Sequence, residues 1–444
     1  MNNHIIGGGV VRRIISFILI VFIFIWTYNL FINNFIQLER VEEEPYKGII
    51  KIWDIARPNI STNSNYGWIQ NKIRALEKRN PGVYIEFTPM DWNKLYDNFE
   101  DGGVEDESPD IIPIDPNFLD FNLLEPLDDY FDKGELEEFK HQVLKSVIYN
   151  NQMVAVPTGM STYTMYLNLE KFNERGITPP IDGNWTYEEF VEILKQLTYD
   201  SDGDGIIDEY GFISPVGINH YNIWGIILSD GGELINPKRI EYNFYGEKAI
   251  KGLERIIQLK QKYNVVPDYF GIIDEKDAWE MFYKEQNLAV YATGSWAIND
   301  LDKLYKSGDG FNFDVINYPT GDKGLPVVLN NGIVSYGVIK KEDPKKTKMC
   351  VKFLKFLTTD SSQRSLQEIG LFTVKRGIKD MYMDNPKMKK IEDSLDYAYY
   401  IPFIDNWIET DRIIQEEIRK AILAEKPSYK AIEDAKIEID KLKE

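Results

Sequence analysis

Residues 48–87 read GIIKIWDIARPNISTNSNYGWIQNKIRALEKRNPGVYIEF, one complete strand–helix–strand unit. Ile49–Trp53 is a short apolar run before a turn-prone segment (ARPNISTNSN), which is the pattern of a buried strand. Trp68, Ile69, Ile73 and Leu76 then recur at helical spacing, and Asn80-Pro81-Gly82 ends the helix. Val83–Phe87 alternates like a strand. Further along, Asp110–Ile114 (DIIPI) is a third short strand that runs into Asp115-Pro116. Alternating strand and helix predicts an α/β layered domain.

The alternation continues to the C-terminus. A strand ends at Val154–Pro157 and another covers Met165–Leu167. Thr186–Leu197 is an amphipathic helix, with Thr186 as N-cap and Glu189 at the capping-box position. Helices follow near Gly246–Tyr263 and Lys276–Lys284, with strands at Leu288–Tyr291, Phe313–Ile316 and Val334–Ile339. Thr347–Thr358 is a helix whose Cys350 reads as packing. Trp407–Leu423 and Tyr429–Leu442 read as closing helices. There is no internal repeat.

The chain has 444 residues and a formal net charge of −20, which argues against nucleic acid as a partner. One cysteine excludes an intrachain disulfide and any multi-cysteine metal site. Three histidines, one of them (His4) in the N-terminal tail, leave few ways to build a Ser–His–Asp triad. No GxSxG, HExxH, P-loop or GxGxxG context is present.

Ile14–Ile32 (IISFILIVFIFIWTYNLFI) is nearly all apolar. Nineteen helical residues span roughly 28 Å, close to a bilayer core. Arg12 and Arg13 precede the run and four glutamates follow it, so residues 1–13 are expected to stay cytoplasmic and the rest to be exported. A cleaved signal peptide is the competing reading, but no small-residue cleavage site follows the apolar core.

The sharpest motif is DSDGDGIIDE, residues 200–209. Carboxylates at alternate positions and a glycine turn describe a loop for a hard cation. Asp200, Asp202, Asp204 and Asp208 are candidate ligands to a structural Ca2+, with Ile206 offering its carbonyl. The twelfth position is Gly211 rather than a bidentate glutamate. The second constellation is aromatic: Trp53, Trp68, Trp92, Trp224, Trp279, Trp296 and Trp407, several of them beside strand ends or turns. Flat rings near carboxylates suit carbohydrate, whose C–H face packs on an aromatic plane while hydroxyls take directional hydrogen bonds.

Five segments occur together in order: LEKRNPGVYIEFTPMDW (76–92), SPDIIPIDPNFLDFNLLEPLDDY (108–130), QMVAVPTGMSTYTMYLNLEKFNERGITPP (152–180), NLAVYATGSWAIND (287–300) and VKFLKFLTTDSSQRSLQEIGLFTVKRG (351–377). With them the chain resembles the extracellular solute-binding proteins of ABC importers, the family that includes maltose-binding protein. The resemblance implies two α/β lobes joined by a hinge, 46–156 with 327–378 and 158–322 with 385–444, and a ligand held between them. Carried over position by position, it places Trp53, Asp54, Asp115, Thr158, Ser161, Tyr163, Tyr221, Trp224, Gly294, Ser295, Trp296, Asn331, Tyr336 and Trp407 at the cleft. Trp92 joins them from the aromatic set. Relatives without an outer membrane commonly anchor through a lipidated cysteine. None stands after the apolar run here, and a transmembrane anchor would serve the same end.

The implied activity is capture of an oligosaccharide by lobe closure and delivery to ABC permease subunits, with no covalent chemistry. A membrane-anchored sensor feeding a kinase keeps the fold and changes the role. A secreted glycoside hydrolase or lyase is the enzymatic alternative, since sequence alone excludes no carboxylate pair.

Overall fold

The computed structural model describes residues 17–29, 45–100, 108–322, 324–331 and 333–442. The chain divides into Met1–Tyr46 and Lys47–Glu444. In the first unit residues 17–29 are helical and exposed throughout. Among the described residues no helix is long and apolar enough to cross a membrane; of the expected 14–32 span, residues 17–29 are described and are helical. The remainder of that span, and the expected cytoplasmic tail 1–13, lie outside the described residues.

The second unit has the two-lobed α/β architecture, each lobe built on its own sheet. Strands β1 (Gly48–Ile55), β2 (Val83–Met90), β3 (Ile111–Ile114), β4 (Val156–Met160) and β9 (Ile333–Val338) form the first, in the order β2-β1-β3-β9-β4. β1 runs parallel to β2 and β3, and Ile52 faces Ile111. β9 returns antiparallel between β3 and β4. Every residue of β3 and β4 is buried. Burial at every position is that of strands covered on both faces.

Strands β5 (Tyr163–Asn168), β6 (Tyr210–Ile213), β7 (Leu288–Gly294) and β8 (Phe313–Ile316) form the second sheet, in the order β8-β5-β7-β6. Gly294 at the end of β7 lies opposite Tyr163 at the start of β5. Both sheets therefore deliver strand ends and loops toward one region.

Helices cover the sheets where periodicity placed them. α1 (Gly67–Arg79) buries Trp68, Ile69, Ile73 and Leu76. α2 (Tyr187–Gln196) starts on the expected capping box: Glu189 N–H donates to Thr186 Oγ1 at 3.2 Å, and Thr186 N–H to Glu189 Oε2 at 2.8 Å. α3 (Glu247–Gln261) packs closely, because a Cβ on Gly252 would lie 1.9 Å from the carbonyl oxygen of Ile227. α4 (Ala297–Ser307) follows β7 directly, and α5 (Pro344–Leu357) carries Cys350. That thiol is buried and pushed up to about 12 by its burial, which fits packing rather than reactivity. α6 (Trp407–Ile422) and α7 (Ser428–Lys441) close the chain. The expected helix over Lys276–Lys284 differs: an α-helical turn over Glu275–Glu280 passes into a π-helical one over Met281–Glu285.

Candidate functional site

β1 ends in the first sheet with Asp54 almost fully buried, and this burial sets its chemistry. Asp54 Oδ1 accepts from Arg57 Nη1 at 2.7 Å and from the Tyr336 hydroxyl at 2.9 Å. Arg57 Nη1 is also 3.1 Å from the Tyr336 oxygen, and the guanidinium lies over the Tyr336 ring. Burial works against the Arg57 charge, but Asp54 and Tyr336 outweigh it, so its pKa is raised and it stays cationic. Burial, together with Asp54, holds the Tyr336 hydroxyl well above its ordinary range, so it remains a donor.

Asp115 follows β3. Its Oδ1 accepts from the Tyr96 hydroxyl at 2.7 Å and the Asn117 backbone at 2.9 Å, and its Oδ2 from Asn117 Nδ2 at 3.2 Å. Loss of water around the carboxyl raises its pKa against those hydrogen bonds.

From the second lobe comes Trp296, directly after β7, with 45% of its surface exposed. Its indole folds back over Gly294, where a Cβ would lie 2.6 Å from the ring. Trp279 supports it edge-on at 5.4 Å, within a cluster that includes Tyr283 and Tyr291.

These groups border a cavity of about 850 Å³. Arg57, Trp92, Asp115, Ser161, Trp296 and Asn331 line it, and Asp300 and Lys303 of α4 add charges of both signs. The size and the mix of rings with a few polar groups are those of a small-molecule site. Five expected residues thus meet there: Trp92, Asp115, Ser161, Trp296 and Asn331. Asp54 and Tyr336 reach it through Arg57.

Other expected residues stand elsewhere. Thr158 is buried and donates to the carbonyl of Val334, and Ser295 is buried with its backbone N–H donating to the carbonyl of Thr162 at 2.7 Å. Trp53 meets Phe99 edge-on at 6.2 Å and does not line the cavity. Trp224 corrects the expectation of a stacking ring at the cleft. It is 0% exposed, in a one-turn helix whose residues are all buried, packed edge-on against Phe244. Trp407 is also buried; it donates its N–H to the Tyr221 hydroxyl at 3.2 Å and borders a separate cavity of about 340 Å³. Tyr221 is buried with it, and Tyr163 is half-buried nearby.

Arg57 was not among the expected site residues, although an acid and a base three apart at a strand end (Asp54, Arg57) signal a pair. Asn117 was missed too, despite the Asp115-Pro116-Asn117 turn chemistry.

In the acidic loop, carboxylate oxygens of Asp200, Asp202 and Asp204 lie within 4.8 Å of one another. Gly203 and Gly205 N–H groups donate to Asp200, which lowers its pKa. Asp208 does not join the trio: both its oxygens accept from Ser201, at 2.8 and 2.6 Å. The three converging hard oxygens suit a hard cation. Ile206 has an exposed side chain.

Residues 72–390 match the bacterial extracellular solute-binding protein family. A binding protein of Brucella abortus is 21% identical over 379 residues, covering 83% of this chain and 87% of its own length. The maltose-bound MalE3 of T. maritima is 21% identical and superposes with a TM-score of 0.69 over 89% of this chain and 99% of that one. The cyclic alpha-maltosyl-1,6-maltose binding protein from Arthrobacter globiformis, 16% identical, gives 0.72 over 89% and 98%. The two sheets facing one cavity are thus the architecture of a family whose match spans most of the sequence, and the chain belongs to the bacterial extracellular solute-binding proteins.

Proposed function

We propose that the protein is the extracellular substrate-binding component of a carbohydrate ABC importer, which captures an oligosaccharide between its lobes and hands it unaltered to a permease. The observation that carries this reading is the cavity faced by Trp296 from one lobe and by Arg57 and Asp115 from the other. A ring that is half exposed yet held by Trp279 and Gly294 is built to stack on something. Arg57 and Asp115 supply directional partners for hydroxyls. Two of the similar structures, a maltose-bound protein and a cyclic alpha-maltosyl-1,6-maltose binding protein, support a sugar.

Ligand touching both lobes binds the closed arrangement better and shifts the population toward it. A shift from 1:99 to 99:1 needs roughly 5.5 kcal/mol of differential binding. Nothing in this scheme requires bond cleavage. The lobes divide between Met160, where β4 leaves the first lobe's sheet, and Tyr163, where β5 opens the second, rather than at the expected 156–158, and again near 322–327. The apolar run from residue 14 to 32 anchors the protein with its N-terminus inside; the exposed apolar helix over 17–29 supports this. The acidic loop holds a structural Ca2+ through Asp200, Asp202 and Asp204, and chelation is expected to lower the melting temperature by a few degrees. A melting temperature unchanged by chelator and by added Ca2+ contradicts that assignment.

The test of function is calorimetric titration of residues 45–444 with maltose, maltotriose and cyclic maltodextrins beside acidic and neutral oligosaccharides of other linkages. Binding of at least one sugar without release of new reducing ends is expected. New reducing ends, or no binding to any sugar, would overturn it.

A further inference from the structure

Asn117 follows the cleft carboxylate Asp115 in the first lobe, and Asn219 lies in the loop after β6 in the second. Asn117 is buried. Its side-chain amide has two hydrogens and two acceptors: Asp115 Oδ2 at 3.2 Å and Asn219 Oδ1 at 2.7 Å. Asn219 adopts the left-handed conformation (φ 65°), which turns its backbone N–H onto Asp411 Oδ2 of α6 at 2.7 Å. Asp411 Oδ1 in turn accepts from Gln415, whose amide also reaches the carbonyl of His220. The result is an unbroken polar relay, Asp115–Asn117–Asn219–Asp411, from the floor of one lobe to the last helix pair. Among the described residues neither carboxylate has a Lys or Arg salt-bridge partner, so the amides and hydroxyls alone hold them.

We propose that the Asn117–Asn219 hydrogen bond is an interlobe latch, which favours lobe apposition before ligand arrives and fixes Asp115 in its ligand-facing pose. The inference rests on the reading that the lobes open and close over a solute. The latch is local: Asn117 gives a single N–H to Asn219, and both residues are held in place by their own carboxylate, apart from a second crossing where the Tyr149 hydroxyl donates to Asp405 Oδ1 at 2.8 Å. Because Asp115 lines the cavity and Asn117 does not, Asn117 and Asn219 are positioning residues. A neutral hydrogen bond of this kind changes a two-state population about fivefold, and apparent affinity falls by a similar factor when the competent state is depleted.

The experiment uses spin labels on the full chain at Tyr84→Cys and Ile181→Cys, exposed positions on opposite lobes; native Cys350 is buried and stays unlabelled. Interlobe distances are measured without sugar in the parent, in Asn117→Ala, in Asn219→Gly and in the double variant. Glycine keeps the left-handed backbone, so Asn219→Gly removes only the side chain. The expected result is a sugar-free shift toward longer distances in each single variant, about fivefold in population, with no further shift in the double variant. Unchanged distributions, or shifts that add in the double variant, would overturn the latch. Maltotriose is then added to the parent: failure to compact counts against the sugar-capture reading, while the sugar-free comparison still decides the latch.

Discussion

Trp296 and Asp411 carry the two predictions that belong to single residues. Trp296 is half exposed, so removing it should cost binding and leave the fold intact. Trp296→Ala is expected to weaken sugar affinity by about tenfold or more with little change in melting temperature, as measured by calorimetric titration and thermal unfolding. Asp411 behaves differently. Burial pushes its carboxyl up to about 6, against hydrogen bonds from Asn219, Gln415 and Tyr221. An acid with a raised folded-state pKa favours the native state below its ordinary value of 3.8, and this contribution is lost as the pH climbs through 6. Above pH 6 the native protein carries a buried charge at a cost of roughly 3 kcal/mol. Asp411→Asn should therefore be more stable than the parent at pH 7.5, by an amount that shrinks toward pH 4. Equal differences at both pH values would contradict this. Roles at this scale were only partly legible in the sequence. Asp115 and Trp296 sit at strand ends, where local pattern finds them. Arg57 takes its role from Tyr336, 279 positions away, and Trp224 looks like any other turn-flanking tryptophan until its neighbours are known.

Elements follow local chemistry more closely. The capping box at Thr186–Glu189 is contained in four residues, and the structure forms it as read. The π-helical turn at Met281–Glu285 is not local: Trp279 and Phe282 on either side of its start pack with Tyr291 of β7. Two glycines show where elements approach too closely for any side chain. Gly252 lets α3 meet the carbonyl of Ile227, so Gly252→Ala is expected to destabilise the fold by about 3 kcal/mol in a denaturant titration. Gly294 instead makes room for the Trp296 indole. Gly294→Ala should displace that ring and weaken sugar binding about three- to tenfold, with stability nearly unchanged because the ring can swing into solvent.

At the scale of the whole molecule, strand–helix alternation was enough to indicate a layered α/β protein, and the five ordered segments indicated two lobes. What no stretch of sequence encodes alone is which loops of the two sheets face one another. That depends on chain crossings such as β4 to β5, where the chain leaves one sheet at Met160 and enters the other at Tyr163. On the proposed function, the gap between the sheets is the working part of the protein, where the lobes would swing together over a sugar and release it unchanged. The most direct measurement is small-angle X-ray scattering of residues 45–444 during titration with whichever oligosaccharide binds in calorimetry. A fall in radius of gyration that saturates with the calorimetric isotherm is predicted. Saturable sugar binding with no change in radius would contradict closure as the mechanism.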